Sequence, residues 1–208
     1  MNPEPLAGPE CEDISPAEMR RRQILDAAAA CFARRGFHAA SMAEIARTFG
    51  MSAGHIYNYF ASKEAIIEAL VERDLETALC HIERLRSAAE INQAMVAGVA
   101  EGVQNTVARS SLDLEIVAEA ARNPSVAAMV QAMDAAVRAR LKEVIGAVDP
   151  QAGGVDEREL EARIELMLAI FDGLTVRVVR NPGFDRDGVV RAMQNVVRGI
   201  FGEQVFGE

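Results

Sequence analysis

The chain has 208 residues, half of them apolar and 5% aromatic, with no Trp and a formal net charge of −9. Such a length holds one large helical unit or a small domain joined to a larger one, with enough apolar residues for a real core. The overall acidity excludes a surface that attracts nucleic acid everywhere, because phosphate contacts need positive charge where the duplex sits.

The charge is unevenly distributed. Residues 1–18 carry five acids and no Lys or Arg, residues 19–63 carry seven bases against Asp26 and Glu44, and residues 64–208 carry 15 bases against 24 acids. A single basic island therefore lies near the N-terminus, as the electrostatic footprint of a DNA-binding unit should. Cys11, Cys31 and Cys80 are odd in number and lack CxxC spacing, which suggests neither a disulfide framework nor a zinc site. The N-terminus has acids and prolines where a signal peptide needs bases and an apolar run, and no apolar run approaches the ~18 residues of a membrane span. The expectation is a soluble cytoplasmic protein with no membrane association.

Residues 1–15, with Pro3, Pro5, Gly8 and Pro9, bury nothing and are expected to form a disordered tail. From about Pro16, Ile24, Leu25, Ala28, Cys31 and Phe32 recur at helical spacing, and Arg34 and Arg35 precede Gly36 as bases before a C-terminal glycine should. At the other end of this first helix, Arg20, Arg21 and Arg22 are candidates to reach a phosphate backbone, against the plainer reading of a solvated basic turn. Ser41 opens a second helix, Glu44 completes an S-x-x-E capping box, Ile45, Ala46 and Phe49 form its buried face, and Gly50 ends it. Ser52 caps a third helix running to about Phe60, with Ile56 and Phe60 on one face and His55, Asn58 and Tyr59 elsewhere. Two short helices around a glycine turn, the second poor in apolar anchors and rich in hydrogen-bonding groups, are the plan of a helix-turn-helix. Ser62 caps a long fourth helix to about Arg86, long enough at ~1.5 Å per residue to join a head to a separate body.

Over about residues 19–70 the pattern resembles the TetR family of bacterial transcriptional regulators. The residues that carry the resemblance are Gly36 and Phe37, Ser41, Ile45 and Ala46, the turn Gly50-Met51-Ser52, Tyr57 and Phe60, and Lys63 after Ser62. Phe49 stands where the family has a small residue, Met51 where it has Val, and His55 where it often has a small residue or Thr, which makes His55 a candidate for operator preference. The resemblance implies an all-α homodimer that represses genes until a small-molecule inducer binds its C-terminal domain. The expected division is a tail over 1–15, a three-helix helix-turn-helix domain over 16–62 and a helical regulatory and dimerisation domain over 63–208. In the DNA-binding set, Ser52, Gly54, His55 and Asn58 are expected at base edges, with Arg21, Ser41, Tyr57, Tyr59 and Lys63 at phosphates of a double-stranded, pseudo-palindromic operator.

Beyond the head, helices are expected over about Glu90–Ser110, Leu112–Arg122, Pro124–Val148, from Asp156 and Glu159 to Asn181, and over Asp185–Phe201. The wide apolar faces of the last two suit a four-helix dimer seam, two helices from each subunit, although the same faces would also serve the monomer's own core. Met95, Met129, Met133 and Met167, with Val99 and Phe171, are candidates to line an adaptable ligand pocket. Glu115, Glu119 and Asp172 lie in otherwise apolar helices; Asp172, between Phe171 and Gly173, is the strongest of the three as a buried partner for a cationic ligand. No catalytic residue, cofactor or metal is expected: P-loop, GxGxxG, HExxH and Glu-x-x-His patterns are all missing, and adjacent Cys80 and His81 diverge by about 100° on a helix. The alternative to a ligand-relieved repressor is a ligand-independent architectural DNA-binding protein using the same head at many sites.

Overall fold

The computed structural model describes residues 15–83, 107–148 and 156–201, together with Gln93, Ala94 and Ala97. The helices are α1 (Pro16–Arg35), α2 (Met42–Phe49), α3 (Ala53–Ile56), α4 (Lys63–Glu83), α5 (Val107–Ala120), α6 (Pro124–Val148), α7 (Glu157–Arg180) and α8 (Arg186–Phe201). No strand occurs among the described residues. The expected tail, apart from Ser15, lies outside the described residues. So do most of the helix begun at Glu90 and, within it, candidates Met95 and Val99.

Local chemistry sets most helix ends. The Ser15 hydroxyl accepts the Glu18 N–H at 3.1 Å and Pro16 occupies the first turn, where its missing N–H costs nothing. Gly36, at φ 78° and ψ 157°, ends α1 and donates its N–H to Phe32 O at 2.8 Å. The Ser41 hydroxyl accepts Glu44 N–H at 3.2 Å, while the Glu44 carboxylate bonds the Arg35 guanidinium at 2.7 Å and thereby ties α2 to α1. After Phe49 the left-handed Gly50 makes a Schellman end: Gly50 N–H donates to Arg47 O at 3.1 Å and Met51 N–H to Ala46 O at 2.9 Å. Asp156 caps α7 through Arg158 N–H, and Asp185 caps α8 through Gly188 N–H.

Two boundaries differ from expectation. The third helix ends at Ile56, because Asn58 and Tyr59 donate to His55 O and Ile56 O, the tighter i to i+3 pattern that closes a short helix into a turn. Residues 107–110 belong to α5, which runs as one helix through Leu112 and stops at Ala120 rather than Arg122. There the Asn123 side chain takes the N–H groups of Ser125 and Val126 and starts α6.

The buried side chains form two clusters. The first joins Ile24, Leu25, Ala28, Cys31 and Phe32 of α1 to Ile45 and Ala46 of α2, Ile56 and Phe60 around α3, and Ile66, Ile67 and Leu70 of α4. It continues through Leu112 and Ile116 of α5 to Val126 of α6, so the helix-turn-helix shares one core with the start of the body. The second cluster lies farther along, where Ile82 of α4 and Leu141, Val144 and Ile145 of α6 meet Leu160, Ile164, Met167 and Leu174 of α7, with Val189, Val190 and Met193 of α8 half-buried against it. α4 and α6 pack along each other and take part in both clusters. Head and body are thereby tied by continuous helices. Among the described residues no helix is long and apolar enough to cross a membrane.

Candidate nucleic-acid interface

α3 is anchored by Ile56, fully buried, and by Phe60 just beyond it, 2% exposed. Around these anchors Ser52, Gly54, His55, Tyr57 and Asn58 are exposed, and Tyr57 keeps 54% of its surface despite its aromatic ring. An exposed Tyr beside His and Asn on a rigid, doubly anchored turn presents hydroxyl, imidazole and amide groups to one surface. Ser41 and Ser52 accept from Glu44 N–H and His55 N–H while capping, which leaves each hydroxyl hydrogen free to donate outward. At Gly54 a Cβ would meet nothing within 4 Å, so this backbone is open to close approach from outside the protein.

Other members of the expected set are partly engaged within the protein. Tyr59 is half-buried against the first cluster, with its ring 6.0 Å from that of His55. Arg21 sits over the Phe60 ring at 4.5 Å and reaches Tyr59 O at 3.5 Å, which holds the basic start of α1 against the turn after α3. Arg20 lies 5.5 Å from the centroid of Phe49, so this unusually large residue is half-buried under a guanidinium. The Lys63 ammonium donates to Phe37 O at 2.8 Å and His38 O at 3.3 Å, so two of its three N–H groups are engaged within the protein.

The ligand candidates do not form one group. Met129 and Met133 pack against the first cluster, whereas Met167 is 3% exposed in the second and Phe171 is half-buried against it. Asp172, expected to be the most buried of the three acids, is exposed instead, because it falls beside the Ile164, Met167, Leu174 and Val178 stripe rather than on it. Partial desolvation, and then the charge of Asp134, raise its carboxyl above the ordinary range. The buried acid is Glu119, 3% exposed. Both Glu115 and Glu119 turn toward the Gly36–His38 loop: Glu115 accepts Phe37 N–H at 3.0 Å, and Glu119 lies 3.0 Å from the His38 ring. Sequence reasoning missed this junction, although two acids four residues apart on an apolar helix necessarily share a face.

A family model described as bacterial regulatory proteins, tetR family, matches residues 24–70, and a second, described as the C-terminal region of BetI-type transcriptional repressors, matches residues 88–202. The chain belongs to the TetR family. Among curated relatives, the HTH-type transcriptional regulator UidR of Escherichia coli is 36% identical over 115 residues, 55% of this chain and 59% of UidR. The chain is thus matched to less than two thirds of UidR's length. The HTH-type transcriptional regulator BetI of Serratia proteamaculans is 31% identical over 178 residues, covering 81% of this chain and 85% of BetI. Among solved structures, Salmonella enterica GusR superposes with a TM-score of 0.75 at 29% identity, covering 91% of this chain and 99% of GusR. A regulator from Saccharomonospora viridis solved with choline shares the fold, with a TM-score of 0.67 at 21% identity over 86% of this chain and 96% of that one. This TetR member therefore couples a helix-turn-helix head to a helical body of BetI type.

Proposed function

We propose that this TetR protein is a ligand-responsive transcriptional repressor that binds a pseudo-palindromic operator as a homodimer and is released by a small-molecule inducer. The observation that carries the reading is the exposed polar face of residues 52–58, seated on two buried anchors within the one net-basic stretch of an acidic chain. In the major groove, Ser52, His55 and Asn58 would meet base edges and Gly54 would let the backbone approach. Arg21, Ser41, Tyr57, Tyr59 and Lys63 would position the head on phosphates. Action on a DNA operator implies a bacterial cytoplasmic protein.

Reading a palindrome requires a two-fold partner. The outer face of α7 supports one: Ala162, Leu166, Ala169 and Gly173 recur at three- and four-residue spacing, all are exposed, and Leu166 is 52% exposed. Val179 and, on α8, Val196 extend the exposed apolar surface. Pairing α7 and α8 with their copies would cover it as a four-helix seam. The inducer would bind within the BetI-type body, beyond the first cluster; the choline complex of a protein with the same fold is consistent with a small cationic ligand.

The test is to select a binding duplex from a random library with the full-length protein, then to titrate that duplex with and without small molecules that raise the protein's melting temperature. A ligand-relieved repressor should select an inverted repeat bound by two protomers, with an affinity lowered roughly 5–150-fold by a stabilising ligand. Binding that no stabilising ligand alters would favour an architectural factor.

A further inference from the structure

The loop from α1 into α2 is gripped from two sides. On the head side, Lys63 takes the carbonyls of Phe37 and His38 and lies 4.6 Å from the Phe37 ring centroid, while that ring is buried at 3% and meets Phe32 edge-on at 5.4 Å. These contacts tie the loop to α1 and to the start of α4. On the body side stand two carboxylates of α5, one helical turn apart. Glu115 Oε2 accepts the Phe37 N–H, and it approaches so closely that a Cβ on Gly36 would lie 3.2 Å from it. Glu119 Oε1 accepts the Asn123 side-chain N–H at 3.2 Å, and its Oε2 faces His38 Nε2 at 3.0 Å and Arg122 at 3.6 Å.

Oε2 of Glu119 has no aligned hydrogen bond among the described residues, although it is buried. A carboxylate so withdrawn from water is costly unless charge faces it, and an apolar side chain would fill the same space without that cost. What the acid adds is attachment of a body helix to the His38 ring of the head. Its main-chain carbonyl also accepts the N–H groups of Arg122 and Asn123, at 2.9 Å each, and Asn123 in turn caps α6. Displacement of the α5–α6 corner therefore moves Glu119 directly.

We propose that Glu115 and Glu119 are positioning residues for DNA binding, a two-carboxylate latch on the Gly36–His38 loop through which α5 sets the orientation of the helix-turn-helix. The latch gives the body a hold on the head that is separate from α4. It rests on the regulator reading above, because the activity it sets is operator affinity.

The experiment uses full-length protein with three single variants, Glu119→Gln, His38→Gln and His38→Lys, and the double variant of Glu119→Gln with His38→Gln. His38 is 68% exposed in its side chain, so its replacement leaves the core intact. Amide hydrogen exchange is followed over residues 36–49 and over α7, without DNA. Affinity is measured for the duplex selected by the wild type. The latch predicts that Glu119→Gln and His38→Gln each speed exchange over 36–49 with α7 unchanged. Each should also weaken duplex binding about tenfold, within the span usual for such couplings. The double variant should be no worse than either single one, and His38→Lys should restore both readouts. Additive losses, a tightening of DNA binding, unchanged exchange in His38→Gln, or exchange that rises equally in α7 would each overturn it. If the wild type selects no duplex, the regulator reading fails, and the exchange data alone decide whether the latch holds the loop.

Discussion

Replacing Gly36 by alanine should be the most damaging of three glycine substitutions in the head. Gly36 has φ 78° and ψ 157°, a region essentially reserved for glycine, so a side chain there costs about 1–3 kcal/mol in backbone strain. The new methyl would also lie 3.2 Å from Glu115 Oε2, so the carboxylate must give by a few tenths of an ångström and its hydrogen bond from the Phe37 N–H is weakened. Backbone strain with a weakened hydrogen bond comes to roughly 2–3 kcal/mol, which for a chain of this length lowers the melting temperature by about 4–12 °C. Gly50→Ala, at φ 80° and ψ 27° with open space around it, should cost about 1–2 kcal/mol from the left-handed backbone alone. Gly54→Ala meets nothing and lies in a helix, where alanine gains about 0.8–1 kcal/mol over glycine, so stability should hold or rise while operator affinity falls. Urea unfolding at fixed protein concentration ranks the three. A Gly36→Ala protein as stable as wild type, or less damaged than Gly50→Ala, would refute the assignment of strain and contact to this loop.

Ile45→Ala removes a fully buried side chain at the centre of the head and should cost about 2–5 kcal/mol, seen in urea unfolding and as lost DNA binding. Leu166→Arg, on the exposed face of α7, should leave helicity unchanged and shift the protein from dimer to monomer in analytical ultracentrifugation; a dimer that persists would move the seam elsewhere. Asp172→Asn tests the raised carboxyl. An acid whose native pKa is raised stabilises the fold below its unfolded value and loses that contribution as pH rises through the native value. The Asn variant should therefore melt above wild type at neutral pH and with it near pH ~3, below the ordinary aspartate value of 3.8. Equal melting at both pH values would show that the Asp172 charge carries no such cost.

The helix ends most legible in the sequence were those with their own chemistry. Ser41 with Glu44, Gly50 and Pro124 each carry a cap or a backbone constraint that acts within a few residues, whereas the Ser15 cap of α1 fell within the stretch expected to be a tail. The end of α3 was less legible because Ile56 and Phe60, four apart, satisfy helical spacing whether the intervening turn is α-helical or tightened. Similarly, Val107 to Ser110 merged with α5 because nothing between Ser110 and Leu112 breaks a helix. At the site, exposure of His55 and Asn58 followed from their position off the Ile56–Phe60 face, a local property, whereas Tyr59, expected off that face as well, is half-buried against the first cluster. The engagement of Lys63 with Phe37 and His38, 26 and 25 residues away, and that of Glu115 with Phe37, 78 residues away, depend on tertiary packing that periodicity does not encode. Asp172 shows the converse: apolar neighbours in sequence do not bury a residue that lies off the buried stripe of its helix.

A ligand-relieved repressor differs from an architectural factor above all in how many places it binds. Mapping where the protein sits across the bacterial chromosome separates the two. A paired head should occupy one or a few sites, each containing an inverted repeat whose half-sites lie a helical turn or a multiple of it apart. Hundreds of dispersed sites without a shared repeat would contradict it.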